Sequence, residues 1–561
     1  MHASRPPALA AALALCLAPA VLHAENAARP GTLTEELPTL RCLGVRWLIA
    51  GDDNANATVA VEFRKTGDPE WRKGLDLFRV ETRGIRSPIR PPAGTTLFAG
   101  SVFDLQENTA YEVRLSLKDP DGGDTQRLLK MTTWAEPKLP KGGRRIDVQP
   151  GGLRDALAKA QPGDTLLLHK GVYKGRFTMK SGLPGKPIAL VGAGDGEAVI
   201  DGQGMNNCID GAGRHDVMLE RLSLRNAKWA ISFNHGWNVT LRRCTITDCE
   251  YGFVSQSNGR TQRRILIADC TMRGPSTWPR TKGIENARAI QLSGTGHVVA
   301  YNRISGYADA IDTFSNYPCA AIDFHSNEIS ECTDDGIEMD YSEHNTRCFD
   351  NRLTNVFQGI SIQPIFGGPV YVFRNALYNV GHEVFKMHNG PSGALFFHNT
   401  AVKAGMPLVL YTGEAVSNVR TRNNLFIGTT GNYGYESTAR MRGCDFDYDG
   451  FAGQWKQFLK WNRIRYKTMD EARQKAPVYN HVVRIRPQGL FATGILPPAD
   501  LKTRFKPAVN DLRLKDGCDA IDAGVPLANI NDGFAGKAPD LGAYELGCKL
   551  PHYGPRPQAV P

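Results

Sequence analysis

Tyr301-Asn302-Arg303-Ile304, Ser326-Asn327-Glu328-Ile329, Asp350-Asn351-Arg352-Leu353 and Arg374-Asn375-Ala376-Leu377 repeat one short pattern, an asparagine followed two residues later by an aliphatic side chain. Extended in both directions, the column reads Glu220, Cys244, Cys270, Asn302, Asn327, Asn351, Asn375, Asn399 and Asn424, at intervals of 24, 26, 32, 25, 24, 24, 24 and 25 residues. The apolar position two residues on runs from Leu222 and Ile246 to Ala401 and Phe426. Each interval carries a second apolar column, Ile231, Phe253, Ile290, Ile311, Ile337, Ile360, Phe385 and Val409. A period near 24 without helical spacing makes each repeat one coil of short strands and turns. A single coil cannot bury its apolar face, so coils stack about 4.8 Å apart into an all-β, right-handed parallel β-helix whose interior these columns fill. The asparagines become an internal hydrogen-bonded ladder at a turn. Leucine-rich repeats share the period but need a leucine scaffold that is missing here.

Around the array, which spans about 146–430, the organisation is legible from composition. Gly152-Leu-Arg-Asp-Ala-Leu-Ala-Lys-Ala160 reads as a short amphipathic helix that caps the first coil. Residues 431–485, rich in Trp, Lys, Arg and Gln (Gln454-Trp-Lys-Gln-Phe-Leu-Lys-Trp461), predict a partly helical excursion on the side of a β-helix that extends to about 550. Ahead of the array, 32–135 alternates as about seven short strands with turn clusters such as Gly51-Asp52-Asp53-Asn54, the pattern of a small β-sandwich. The Pro-rich, basic run 136–145 predicts a linker.

Residues 1–24 have the layout of a secretory signal peptide: Arg5, an apolar run from Ala8 to Leu22 broken by Pro19, then Leu-His-Ala before Glu25. Cys16 follows Leu15 where a lipoprotein signal wants a small residue, so the expectation is a secreted or periplasmic, monomeric protein without a membrane anchor. Cys16 set aside, an odd number of cysteines remains, so at least one thiol stays free or pairs between chains. Cys518 and Cys548 are the expected bridge, and no CxxC or Cys/His cluster suggests zinc.

The 561 residues are 41% hydrophobic and 22% charged, ordinary values that exclude a disordered or collagenous chain. Fifty-eight glycines against 11 methionines point to a turn-rich β protein. A net charge of +10, spread along the chain without a basic block, argues against a nucleic-acid partner and suits an acidic polysaccharide, although charge alone does not choose.

Aligning the second strand of each coil maps the outer surface. The residue after each inward apolar position points out, giving Ser232, Val254, Gln291, Asp312, Glu338, Ser361, Lys386 and Leu410. Two residues on, the column reads Asn234, Gln256, Ser293, Phe314, Asp340, Gln363, His388 and Thr412. With Asp309, Asp334 and Asp335 in the preceding turns, two adjacent coils gather six acids, and Lys386 and His388 lie two coils further. Stacked carboxylates repel unless a cation neutralises them or some stay protonated. An oxygen-only set suits calcium better than zinc or copper.

Several segments resemble known families. Leu105-Gln-Glu-Asn-Thr-Ala-Tyr-Glu-Val-Arg-Leu115 is similar to the tyrosine-corner region of fibronectin type III domains. Ala160-Gln-Pro-Gly-Asp-Thr-Leu-Leu-Leu168 with Gly171-Val-Tyr173 resembles the entry of the pectate-lyase-like superfamily, and Ala538-Pro-Asp-Leu-Gly-Ala-Tyr-Glu545 its closing strand. Ala308-Asp309-Ala-Ile311, Asp334-Asp335-Gly336-Ile337-Glu338 and Val384-Phe385-Lys386 resemble polysaccharide lyase family 9. That resemblance implies Asp309, Asp334, Asp335 and Glu338 as ligands of one Ca²⁺ and Lys386 as the Brønsted base. The chain departs from the family pattern at Glu338, at Ala310 and in an extra coil, Asn345 to Gly368.

β-Elimination from a uronate removes the C5 proton, so the developing enolate needs a cation at the carboxylate and a base at the carbon. A lysine serves only if its pKa is lowered. His388, His344 or a water are candidates for the leaving-group acid, and Arg347 or Arg352 for gripping a carboxylate. The expected catalytic set is thus Lys386, His388 and Arg352. Substrate contacts are expected from Asp312, Asp340, Gln363 and His344, and from Trp278, Arg280 and Lys282 on the inserted loop Pro275–Arg288. The competing readings are a glycoside hydrolase using the stacked pair Asp312 and Glu338, and a noncatalytic carbohydrate-binding β-helix.

Overall fold

The computed structural model describes residues 25–81, 90–256, 262–281, 286–313 and 319–557. Residues 1–24, expected to be a signal peptide, Lys282 and Phe314 lie outside them.

The apolar columns do what their period requires. Ile231, Phe253, Ile290, Ile311, Ile337, Ile360 and Phe385 pair one above another in parallel register, and all are at most 2% exposed. Each coil sends one strand to a 14-stranded sheet and one or two to a 19-stranded sheet, the two walls of a right-handed parallel β-helix. The helix Leu153–Lys159 lays Leu153 and Leu157 on the first coil and closes that end of the core.

The asparagine ladder is continuous. Asn302 Nδ2 donates to Asn327 Oδ1 at 3.0 Å, and the same bond links Asn327 to Asn351, Asn351 to Asn375, and Asn375 to Asn399. It passes from Asn399 to Asn424 and ends on Asp449. Each rung follows a residue in the left-handed region: Tyr301, Ser326, Asp350, Arg374, His398, Asn423 and Tyr448. That conformation is costly for a residue with a Cβ, and the amide offsets it by satisfying backbone groups inside the turn. Two column assignments change. The position expected for Glu220 belongs to Leu222, which follows left-handed Arg221 and accepts from Thr245 N; Glu220 pairs with Arg242 instead. Further on, Leu408 and Leu410 fill the core, so Val409 faces out and pairs with Glu436, a one-residue slip that exchanges the faces.

Residues 431–485 correct the expectation of an excursion. Gln454–Trp461 lies in the strand Gly450–Trp461, and only Met469–Lys475 is helical. The tail 538–545 is no closing strand. Gly542 N donates to Asn423 O and Ala543 N to Thr400 Oγ1, so the segment runs along the flank and covers Leu425 and Ile427. Cys518 and Cys548 are free thiols on that flank rather than a bridge.

The N-terminal strands form two four-stranded antiparallel sheets packed around Trp47, Phe63 and Leu115. Gln106 N donates to Tyr111 Oη at 2.9 Å, the back-bond of a tyrosine corner. This sandwich is seated on the 14-stranded wall. Phe78 and Phe103 pack with Phe349, Tyr371, Phe373 and Phe397. The fully buried guanidinium of Arg347 bridges Asp323, at 2.5 Å, and Ser101 Oγ, at 3.0 Å. The run expected to be a linker is anchored as well, since Glu136 pairs with Arg242 and Arg556. Among the described residues no helix is long and apolar enough to cross a membrane.

Candidate functional site: an acid cluster around Lys386

The outward column is in the predicted register: Gln291, Asp312, Glu338, Ser361 and Lys386 pair in sequence, and Arg288 stands beside Asp309. At Gly336 a Cβ would meet Leu353 Cδ2 at 2.4 Å and Gly359 O at 2.8 Å. Only glycine lets the backbone between Asp335 and Glu338 lie this close to the next coil, which keeps both acids in one cluster.

Lys386 bridges the two coils that separate it from the acids. Its Nζ lies 2.5 Å from Asp335 Oδ2 and 3.6 Å from Glu338 Oε1. Ser361, the residue between, is short and spends its hydroxyl on Asp340 Oδ1 at 2.8 Å, so the lysine leans over it. Carboxylate oxygens of Asp309, Asp335 and Glu338 lie within 4.8 Å of one another. Asp309 Oδ1 also accepts from Asp335 N at 3.0 Å, and Asp335 Oδ1 is buried without a hydrogen-bond partner. Asp334 stands apart from that trio, 3.5 Å from Arg280.

Six carboxyls face three cations, and the excess shows in their acidity. Burial, then Asp335, pushes Asp309 well above the usual carboxylate range. Burial, then Asp340 and Asp312, does the same to Glu338. Asp340 is raised well by burial even though Lys386 opposes it. Asp312 is raised less, because Arg288 and Gln291 offset its burial. Burial works to lower Lys386, but Asp335, Glu338 and Asp340 outweigh it and hold the ammonium far above an ordinary lysine. This is the opposite of the depressed amine the sequence led us to expect.

Other expected residues are distributed unevenly. Gln363 joins the site through its backbone, N to Asp340 Oδ1 at 2.6 Å. Arg280 joins through Asp334 and stacks over Phe357 at 4.6 Å. His388 pairs with the fully buried Glu383 at 3.0 Å. His344 is elsewhere: its Nε2 is 2.7 Å from Glu36 in the sandwich interface, where burial at both ends holds it. Arg347 is spent in that interface too. Arg352 lies before the coil's corner at Asn355, bound to Glu328 and stacked over Tyr553 of the tail. Trp278 is 7% exposed, so it offers no face to a sugar.

Arg288 was missed. Its Nη2 is 3.3 Å from Asp309 and its Nε 2.9 Å from Asp312, making it the principal counter-ion of the first acid coil. The signal was present in the column alignment one coil below Asp309. Glu383, one register step beyond Gln358 and two beyond Asp335, was also legible there.

Fold and site together define a right-handed parallel β-helix with a cluster of largely buried acids and a lysine on one face. Residues 207–363 match the family model described as right handed beta helix region. No curated protein matches the sequence significantly. Among solved structures the chain is similar to a mannuronic acid specific polysaccharide family 6 lyase from human gut microbiota, at 14% identity and TM-score 0.29, over 56% of this chain and 82% of that one. It is similar to the catalytic domain of a GH87 alpha-1,3-glucanase in complex with nigerose, at 12% identity and TM-score 0.27, over 82% and 91%. A purple acid phosphatase from yellow lupin (Lupinus luteus) seeds is matched at 15% identity and TM-score 0.16 over 26% of this chain and 29% of that one, under a third of its length. Likenesses of this size bear on neither substrate nor reaction.

Proposed function

We propose that this protein is an exported, calcium-dependent enzyme that cleaves a uronate-containing polysaccharide by β-elimination in the groove above Asp309, Asp335, Glu338 and Lys386. The observation that carries the reading is the amine of Lys386 held between Asp335 and Glu338, next to an oxygen-only donor set. The residues fit a hard divalent cation: Asp309, Asp335 and Glu338 converge, and Asp335 Oδ1 is buried without a partner. Asp334 is the fourth candidate ligand. When bound, calcium supplies positive charge that offsets these carboxylates and polarises a uronate carboxylate.

Lys386, once those carboxylates are neutralised and its ammonium has released a proton to solvent, takes the C5 proton as the free amine. The electron pair of that C–H bond forms the C4=C5 double bond, the C4–O bond breaks, and the departing oxygen needs a proton. His388, paired with Glu383, is the group we assign to donate it. Arg280 and Arg288 orient the groove by fixing Asp334, Asp309 and Asp312.

A hydrolase remains the second reading because Glu338 and Asp340, both pushed well above the carboxylate range, hold the kind of proton a general acid delivers. The deciding experiment incubates the protein with polygalacturonate, alginate and glucuronan, with and without chelator, and follows both ultraviolet absorbance of unsaturated ends and new reducing ends. Unsaturated product in step with reducing ends supports elimination; saturated ends overturn it.

A further inference from the structure

Beyond Lys386 the same stack of strands continues past the acids. The outward column resumes at Val409 and pairs with Glu436 and then Lys460. Glu436 is neutralised there, with Lys460 Nζ at 2.7 Å and Tyr411 Oη at 3.0 Å. The turns that follow the strands Leu408–Leu410, Leu425–Ser437 and Gly450–Trp461, together with the strand Arg440–Arg442 at the near edge of the 14-stranded wall, line an open cleft of about 440 Å³. Arg440, Arg442 and Arg463 line it together with Thr438, Asn462 and Gly413, and no acid is among its lining residues.

Several features mark this cleft as built. The three guanidiniums are exposed, and none has an ion pair or hydrogen bond among the described residues. Three unneutralised arginines repel one another, an arrangement that costs stability unless an anion joins them. The rim that carries them is braced. Asn462 Oδ1 accepts from Met441 N at 2.8 Å and its Nδ2 donates to Met441 O at 3.1 Å, which holds the residue between Arg440 and Arg442. Thr438 Oγ1 donates to Thr412 O at 3.0 Å. Glu414, the nearby acid, accepts from Thr412 Oγ1 and so is turned onto its own loop. Arg463 occupies the second place of a two-residue hairpin, with φ of 48° at Asn462 and 70° at Arg463. Glycine is the favoured residue there, and the arginine aims a guanidinium into the cleft at a conformational cost.

We propose that this cleft is an anion subsite that seats a negatively charged sugar unit of the polymer lying along the groove. It takes the oxyanion of a carboxylate or sulfate ester in a bidentate grip. The cleft lies one to three coils from Lys386, about 5–15 Å along the axis at about 4.8 Å per coil, the distance of a few sugar rings on the same chain. The assignment rests on the reading that the groove takes an acidic polysaccharide.

The test is equilibrium binding, by affinity electrophoresis or calorimetry, of wild type and the double variant Arg440→Gln/Arg463→Gln. The polymers are polygalacturonate, alginate, κ-carrageenan, and fully methyl-esterified pectin as the uncharged control. Both positions are exposed, so folding is preserved. At low salt the double variant is expected to bind a charged polymer about tenfold or more weakly and with a shallower salt dependence, with esterified pectin unchanged. Loss on the polyuronates alone identifies a carboxylate, and loss on carrageenan alone a sulfate ester. Wild-type affinity of the double variant for every charged polymer overturns the subsite, as does a wild type that binds none of them. Polyuronate binding through these arginines without unsaturated product would leave the subsite standing and remove the elimination reading alone.

Discussion

Lys386 Nζ lies 2.5 Å from Asp335 Oδ2, although 51 residues and two coils separate them. Stacked positions two coils apart are about 10 Å apart at the backbone. The contact exists because a long side chain leans back over Ser361, the small residue between. In this arrangement the lysine is a counter-ion of the acid cluster, and its acidity is set by how many of those acids are neutralised. A base and a counter-ion in one side chain make the groove sensitive to charge at every neighbouring position.

Lys386→Arg tests the base. Arginine keeps the charge and reaches Asp335, yet does not release its proton at working pH. Calcium affinity and polymer affinity are expected to stay within a fewfold of wild type while turnover falls by about three orders of magnitude or more. Turnover near wild type, with Glu338→Gln inactive, would assign the chemistry to the carboxylates and to hydrolysis.

Asp335→Asn tests the metal site. The substitution removes one charge from the convergent trio and frees Lys386. Calorimetry with Ca²⁺ alone should show binding weakened by about 3 kcal/mol, on the scale of breaking other buried charge clusters. Full activity of wild type in excess chelator, with no Ca²⁺ heat, would remove calcium from the reaction.

Asp449 gives a pH prediction away from the groove. As the last rung of the asparagine ladder it accepts from Asn424 N and Nδ2, at 2.9 and 2.8 Å, and burial raises it from 3.8 to about 7 against those bonds. The folded state therefore keeps a proton that the unfolded chain releases. That contribution is fully present below about pH 4, declines as pH rises, and is lost through about pH 7. Asp449→Asn makes the rung an amide like the others. It should raise Tm relative to wild type above pH 7, where the stability difference reaches at most about 4 kcal/mol, and change it least near pH 4. An equal Tm difference at both pH values would show that the carboxyl does not titrate in this window.

Deletion of residues 25–138 is expected to yield insoluble or unstable protein. It would strip Phe349, Tyr371, Phe373 and Phe397 of their cover and leave Arg347 without Ser101. The sequence reading, a sandwich on a Pro-rich, basic linker, predicts instead that turnover stays largely intact while yield or polymer affinity falls. Expression of the truncated chain with its far-ultraviolet circular dichroism and Tm separates the two outcomes.

What the sequence by itself determined was whatever repeats at short range. The 24-residue period, the apolar columns and the asparagine rungs are local patterns copied from coil to coil, and stacking identical coils leaves little freedom in how they meet. The same register carried Asp309, Asp312, Asp335, Glu338 and Lys386 onto one face and exposed Arg288 to anyone who extended the column by one coil. It failed at Glu220, where the column position lies two residues on at Leu222, and at Val409, where a one-residue slip exchanges inside for outside without changing composition. It failed again for side chains whose partners come from other parts of the chain. His344 and Arg347 are held by the sandwich, Arg352 by Glu328 and the C-terminal tail, and Trp278 is buried by its surroundings. Only the tertiary structure decided those placements, and with them the direction of the Lys386 pKa: burial and charge at a point depend on every atom nearby in space, and a sequence records only neighbours along the chain.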